Sequence, residues 1–169
     1  GGSMAMLPAG YTRGTEDVDL GLFIRLEALD RVLPVLRAVG LTFDDAEVKN
    51  SAAERADFKA HAGETRVDLF LSFADEFFDS MRRRRVRHEL EGRPLWFLSA
   101  EDLAVLKMLF FRPKDLLDLE RMLGVCFTRF DAGYVRHWLV DLMGADDPRI
   151  PGWDQLLRDV AAARTRLGK

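Results

Sequence analysis

The chain has 169 residues, of which 48% are hydrophobic and 31% are charged, and its formal net charge is -3. This balance is typical of a globular protein with one substantial core, and it excludes extensive disorder away from the ends. The slightly acidic total gives no global reason to expect a nucleic acid or an anionic membrane as the partner. No apolar run approaches the roughly 18–20 residues of a membrane span, and no signal peptide is visible. The single Cys126 cannot form an internal disulfide, so we expect a cytoplasmic protein in which this residue is a core thiol.

Strand and helix patterns are mixed in the first hundred residues, and helix patterns dominate afterwards. Apolar or alternating runs predict strands over Val18–Ile24, Phe58–His61 and Thr65–Phe73, followed by a hairpin over Arg83–Leu90 and Pro94–Leu98. Helices are predicted over Ala5–Gly14 (or a turn), Glu27–Val39, Asp75–Met81, Ser99–Phe111, Lys114–Leu123, Tyr134–Met143 and Trp153–Leu167. This order predicts an α/β (α+β) fold, with a mixed sheet flanked by helices over residues 1–98 and a small helical bundle packed on it over residues 99–169.

Asp17 and Asp19 give the strongest chemical signal. Residues two apart on a strand project to the same side, so both carboxylates leave one strand end together, and a divalent cation would relieve their repulsion. Asp68 interrupts a second apolar strand, where an acid needs a partner. If the two strands pair, the three carboxylates converge on one site. Alternatively, the first two acids form a solvated strand end, and the third pairs with Arg66 or Arg13.

Thirteen residues separate the pair Gly2-Ser3 from Asp17. A glycine–serine pair at a helix start offers backbone N–H groups and a hydroxyl to phosphate oxygens. Together with the Asp-x-Asp strand and a third acid on a later strand, this spacing resembles the nucleotidyltransferase superfamily, the fold of DNA polymerase beta and the aminoglycoside adenylyltransferases. We interpret Gly1–Ser3 as native sequence; the alternative is a remnant of expression and a coincidental spacing.

The resemblance implies two-metal nucleotidyl transfer to a hydroxyl acceptor on a protein, an RNA or a small molecule. Asp17 and Asp19 would hold a Mg²⁺ or Mn²⁺ ion that binds the nucleoside triphosphate. Asp68 would serve the second ion and help to deprotonate the acceptor hydroxyl. His61, His88 and His137 are scattered along the chain without the spacing of metal ligands, so no competing histidine site is expected.

A narrower resemblance involves two segments, Gly10–Leu20 and Ser99–Leu123. Both are similar to segments of stand-alone prokaryotic nucleotidyltransferase-like proteins, some of which belong to abortive-infection or toxin–antitoxin systems. The resemblance covers roughly residues 1–124. It implies a possible protein partner in addition to the nucleotide.

Three cationic side chains are candidates for nucleotide binding. Arg13, in the loop before the acids, would neutralise phosphate charge or pair with a neighbouring acid. Lys107 lies in an apolar helical stretch, where it either reaches outward or points into a cleft; the resemblance favours the cleft. Lys114 opens the following helix, in which Asp115 is expected near the N-terminus and Asp118 is expected to be structural.

The segment Arg82–Arg87 is the one strongly basic run. It is interpreted either as contact with an RNA acceptor or as a solvated edge strand that charge protects from aggregation. The sequence leaves three functions open: an active nucleotidyltransferase, an inactive binding module of the same fold, and a regulatory partner of a toxin.

Overall fold

The computed structural model of the chain describes residues 3–11, 14, 17–72, 74–166 and 168. Its strands are β1 (Asp17–Gly21), β2 (Asp57–Ala62), β3 (Thr65–Phe70), β4 (Val86–Leu90) and β5 (Arg93–Phe97). Its α-helices are α1 (Leu29–Ala38), α2 (Asp45–Arg55), α3 (Asp75–Arg84), α4 (Ala100–Phe110), α5 (Pro113–Cys126), α6 (Ala132–Met143) and α7 (Arg149–Arg166). Short 3-10 helices span Ser3–Ala9, Leu26–Ala28 and Phe127–Arg129. The predicted mixed α/β class, with helices toward the C-terminus, is confirmed.

The chain forms two compact units. The first comprises residues 1–4 and 13–84, and the second comprises residues 5–12 and 85–169. The β4–β5 hairpin therefore groups with helices α4–α7, and β1–β3 group with helices α1–α3. A division into domains at residue 98 stays a prediction.

In the first unit, β3 is the central strand of a three-stranded sheet. It pairs in parallel with β1 and antiparallel with β2. One face of this sheet packs on α1 and α2, because the alternate residues of its strands are apolar. This core includes Leu33 of α1, Val48 of α2, Phe58 of β2, and Val67 and Leu69 of β3. The opposite face carries the polar residues of the same strands.

Helix α2 was absent from the prediction. Only Val48 and Ala52 of this helix are buried, so its apolar stripe is too narrow for the periodicity to be recognised. The start signal was present, because the side chain of Asp44 accepts a hydrogen bond from the Glu47 N–H at 2.8 Å. The helix ends at Ala56, which adopts a left-handed conformation with φ of 56°.

The boundary between α3 and the hairpin differs from the prediction. Arg83 and Arg84 belong to the last turn of α3, and β4 begins at Val86. Cations in the last turn interact favourably with the negative end of the helix dipole, which explains why the helix continues through the arginines. The hairpin turn at Glu91 and Gly92 has positive φ at both positions, 50° and 75°, as a two-residue hairpin turn requires.

Three other boundaries also differ from the prediction. β1 ends at Gly21 and β3 ends at Phe70, and the predicted strand end at Phe73 lies outside the described residues. Helix α7 begins at Arg149, before the predicted start at Trp153.

In the second unit, the predicted cap of α4 is confirmed. The Ser99 hydroxyl accepts a hydrogen bond from the Asp102 N–H at 3.1 Å and donates one to the Asp102 carboxylate at 2.6 Å. The Tyr134 hydroxyl of α6 donates to the same carboxylate at 2.6 Å. The buried core of this unit includes apolar side chains from all four of its helices: Leu103, Met108, Leu119, Leu123, Val135, Leu139, Trp153 and Val160.

Candidate functional site

The polar face of the three-stranded sheet carries the acids predicted from the sequence. Asp17 lies opposite Arg66, and Asp19 lies opposite Asp68, in the parallel pairing of β1 with β3. Facing residues on neighbouring strands share a face of the sheet, so all four side chains project to the same side. Val18 and Val67, which alternate with them, pack on the helical side. Strand pairing thus places the three acids on one face of the sheet.

An arginine stands between two of these acids. The Arg66 guanidinium donates hydrogen bonds from Nη2 to Asp17 Oδ2 at 2.5 Å and to Asp68 Oδ2 at 3.1 Å. The Asp68 carboxylate, followed by the charges of Asp17 and Asp19, raises the pKa of the Arg66 guanidinium. The pairing of Asp68 with Arg66, which the sequence left open as an alternative, is therefore present.

Asp68 is the most enclosed of the three residues in this ion-pair group. Its side chain is 21% exposed, compared with 39% for Asp17 and 42% for Arg66. Its second oxygen, Oδ1, is buried and accepts no hydrogen bond, and Nε of Arg66 is also buried without an acceptor. A buried carboxylate oxygen without a donor is costly, so this atom is available to a ligand that supplies a cation or a hydrogen.

The acids are not arranged as a ready-made metal cage. Over the described ranges, which include all three acids, no group of three Asp, Glu, His or Cys side chains is placed to hold a metal ion. The donor chemistry nevertheless fits a hard cation, because three carboxylates share a face and one oxygen is unsatisfied. Arg66 provides the positive charge that a metal ion would otherwise provide to Asp17 and Asp68.

Strand β2 adds residues that the sequence analysis missed. Lys59 lies opposite Asp68, and His61 lies opposite Arg66, in the antiparallel pairing of β2 with β3. Both are exposed and share the polar face, whereas Phe58 and Ala60 are buried on the other side. The alternation of buried and polar residues over Asp57–Ala62 was the signal that could have identified them.

Lys107 lies in the second unit, within a buried ion-pair network. Its ammonium is 2.8 Å from Asp118 Oδ2 and 3.4 Å from Asp115 Oδ1, and all three side chains are at most 8% exposed. Asp115 also accepts hydrogen bonds from the Arg112 side chain at 2.6 and 3.2 Å. Burial acts to raise the pKa of Asp115, but the Arg112 hydrogen bonds and the Lys107 charge outweigh it and lower the pKa. The expected structural role of Asp118 agrees with this network.

The remaining candidates for nucleotide binding are placed only in part. Gly2 and Arg13 lie outside the described residues. Ser3 is the first residue of the 3-10 helix Ser3–Ala9, whereas the sequence predicted a helix or turn over Ala5–Gly14. Lys114 is exposed in the first turn of α5. The role of all these residues toward a nucleotide stays a prediction.

Two further expectations concern Cys126 and the membrane. Cys126 is buried, and burial is the main cause that raises the pKa of its thiol. This agrees with a core thiol rather than a reactive one. Among the described helices, none has the length and apolar character needed to cross a membrane.

Comparison with known proteins identifies the family. No curated protein matches the chain. A family model described as a nucleotidyltransferase of unknown function (DUF6036) matches residues 1–144, which include the whole polar sheet face and helices α4 to α6. The chain therefore belongs to this nucleotidyltransferase family of unknown function.

Proposed function

We propose that the chain is a metal-dependent nucleotidyltransferase that transfers a nucleoside monophosphate from a nucleoside triphosphate to a hydroxyl group. The observation that carries the proposal is the common face of Asp17, Asp19 and Asp68 on two adjacent parallel strands. Carboxylate oxygens suit Mg²⁺ or Mn²⁺, which would bind the triphosphate and polarise its oxygens. Membership of a nucleotidyltransferase family supports the reaction class.

Arg66 has a defined part in this proposal. Its guanidinium pairs with both Asp17 and Asp68 and offsets one of their two negative charges, so it must leave at least one of them when a cation binds there. A triphosphate carries several negative oxygens that can accept the same N–H donors. We propose that Arg66 exchanges its carboxylate partners for phosphate oxygens as the nucleotide arrives with its metal.

In the proposed reaction, the acceptor hydroxyl oxygen forms a bond to the α-phosphorus. The bond from that phosphorus to the oxygen shared with the β-phosphate breaks, and pyrophosphate leaves. Asp68 receives the hydroxyl proton on Oδ1, the buried oxygen that accepts no other hydrogen bond. Lys59, which faces Asp68 from β2, is available to balance phosphate charge.

The decisive experiment measures label transfer and nucleotide affinity on the same preparations. The protein is incubated with each α-labelled nucleoside triphosphate, magnesium and a cell lysate. Asp68→Asn is expected to remove nearly all transfer and to leave nucleotide binding largely intact, because the lost interaction is made in the transition state. Asp57→Asn is the matched control, since Asp57 shares the polar face but pairs with Arg55 at the edge of the sheet. Equal transfer by Asp68→Asn and the wild type would refute the assigned role.

A second candidate is an inactive binding module of the same fold. It is favoured by the Arg66 bridge, which occupies two of the three acids. Wild-type protein that binds nucleotide but labels nothing with any of the four triphosphates would establish this alternative. Membership of a toxin–antitoxin or abortive-infection system would be supported by growth arrest on expression that Asp68→Asn abolishes.

A further inference from the structure

The β4–β5 hairpin presents an exposed tryptophan among arginines. Trp96 is 61% exposed, and it lies opposite Arg87 in the antiparallel pairing of the two strands. The Arg85 guanidinium lies over the Trp96 ring, 5.1 Å from its centroid. Most of this ring is therefore accessible to a planar partner that could stack on it.

The two faces of the hairpin differ sharply. Phe97, which neighbours Trp96 in sequence, is buried and contacts the ring of His88 on the opposite face. On the face of Trp96, the next facing pair is Glu89 with Pro94, and both are exposed. Beside Trp96, this pair offers one apolar side chain, Pro94, and one carboxylate, so the face presents a single large aromatic ring among polar groups.

The charge of this face suits a polyanion. Arg87 is exposed and forms no hydrogen bond or ion pair with another residue in the part of the chain that the structure describes. The Arg85 guanidinium lies over the Trp96 ring in a cation–π contact, which adds a second positive charge beside the ring. A planar aromatic side chain flanked by guanidinium groups is the combination that binds unpaired bases and their phosphates.

We propose that Trp96, Arg85 and Arg87 form a binding platform for single-stranded RNA, which serves as the hydroxyl acceptor. One base would stack on Trp96 beside the positive charge of Arg85, and Arg87 would contact a flanking phosphate. The assignment as acceptor rests on the proposed nucleotidyltransferase function, which requires a hydroxyl, and each ribonucleotide carries one at the 2′ position. Duplex RNA does not fit the platform, because its bases are already stacked on one another.

The test measures binding by the full chain, without metal or nucleotide. The probe is a labelled, unpaired RNA of about twelve nucleotides, a length within the range of known single-strand sites. Trp96→Ala is expected to weaken binding about tenfold, and Trp96→Phe is expected to restore most of it. Leu95→Ala is the control, since Leu95 is exposed on the other face of the same strand. Circular dichroism and thermal unfolding verify that each variant folds.

The arginines have their own matched pair of variants. Arg87→Gln is expected to weaken binding and to lower the slope of log affinity against log salt by about 0.7, the value for one phosphate contact on a single strand. Arg93→Gln removes the same charge from the hairpin at a position that faces the opposite side, and it is expected to leave the slope unchanged. Quenching of tryptophan emission by RNA should be lost in Trp96→Phe.

Several results would overturn the proposal. These are absence of RNA binding by the wild type, equal binding by Trp96→Ala, or equal binding of duplex RNA. Tighter binding of a DNA strand of the same sequence would overturn the assignment to RNA. A wild type that binds no RNA but captures a protein through Trp96 would assign the platform to a protein partner. Failure of the proposed enzyme is distinguishable, because it would appear as a wild type that transfers no label while its RNA binding still depends on Trp96.

Discussion

Arg66 and Asp17 face each other across the parallel strands β1 and β3, and the guanidinium of the first donates a 2.5 Å hydrogen bond to the carboxylate of the second. The same guanidinium bonds Asp68 on its own strand. Two of the three acids of the candidate site thus share one guanidinium, which offsets one of their two negative charges. Any metal ion that binds these acids competes with this internal cation.

Removal of the internal cation should therefore strengthen metal binding. We expect Arg66→Met to raise the affinity for Mn²⁺ about tenfold, because a positive charge a few ångströms from the ion is lost at a partly exposed site. Calorimetric titration of the nucleotide-free protein measures this. Arg37→Met is the control, since Arg37 lies on α1, on the other side of the sheet, and pairs with Asp45.

A variant of one of the acids tests the same site in the opposite direction. Asp17→Asn should abolish the binding that Arg66→Met strengthens. Unchanged titration curves for both variants would place the bound ion away from this face of the sheet.

The buried network of Lys107 should contribute strongly to stability. Lys107→Met leaves Asp115 and Asp118 buried without their shared cation, and we expect it to lower the free energy of unfolding by about 3–5 kcal/mol. Urea denaturation measures the change. Lys114→Met is the matched control, because Lys114 is exposed, and its effect should lie within about 0.5 kcal/mol. A loss below about 1 kcal/mol for Lys107→Met would show that the pair of acids protonates or finds other donors.

The stability of the α7 start should depend on pH. The hydrogen bonds from Arg149 lower the pKa of Asp147 from its usual 3.8 to about 2, and Arg149 also donates to the Leu109 carbonyl of α4 at 2.8 Å. A carboxyl whose pKa is lower in the folded state stabilises the fold above its unfolded pKa, and this contribution is lost as the pH falls toward the folded value. Asp147→Asn should therefore destabilise the protein at neutral pH, and the difference from the wild type should shrink between about pH 4 and about pH 2.

Thermal unfolding across this pH range checks the prediction, with Asp146→Asn as the control. Asp146 is exposed and has no hydrogen bond or ion pair to another residue that the structure describes. A difference between wild type and Asp147→Asn that stays constant down to about pH 2 would contradict the linkage to Asp147.

The sequence predicted the pairing that creates the site but not the balance of charge within it. Two strands are identified by the alternating apolar residues around Asp68 and by the apolar residues that follow Asp19. A mixed sheet was expected to place these two strands side by side. The sequence left open which cation pairs with Asp68. Arg66 lies on the same strand, and Arg13 precedes the strand that was expected to lie beside it. Only the three-dimensional register, with Arg66 opposite Asp17, decides that one guanidinium serves both acids.

The environment of Lys107 could not be predicted from the sequence pattern of its own helix. A lysine in an apolar helical stretch is compatible with an outward, a cleft-facing or a buried position, and the pattern of one helix cannot distinguish them. The buried position depends on Asp115 and Asp118 of the following helix, which meet the ammonium through tertiary packing. The start of α4 at Ser99 was predictable because a capping interaction is local.

Lys59 is expected to contribute to nucleotide binding. It faces Asp68 from β2 and is exposed on the polar face of the sheet, so it lies beside the acids proposed to bind the metal and the triphosphate. Because a lysine ammonium balances phosphate charge, we expect Lys59→Gln to weaken the affinity for a nucleoside triphosphate about tenfold. Its exposed position predicts little change in the free energy of unfolding.

Lys49→Gln is the matched control for Lys59→Gln, since Lys49 is an exposed lysine on α2 that pairs with Asp30. Fluorescence competition with a labelled nucleotide gives the affinities, and the salt dependence of binding should fall only in Lys59→Gln. The comparison should be repeated with a nucleoside that lacks phosphates, for which both variants should match the wild type. Equal loss for nucleoside and triphosphate would assign Lys59 to the base or sugar. Equal affinities of both variants for the triphosphate would place the phosphates away from β2 and direct attention to the far edge of the sheet, beside Asp17 and Asp19.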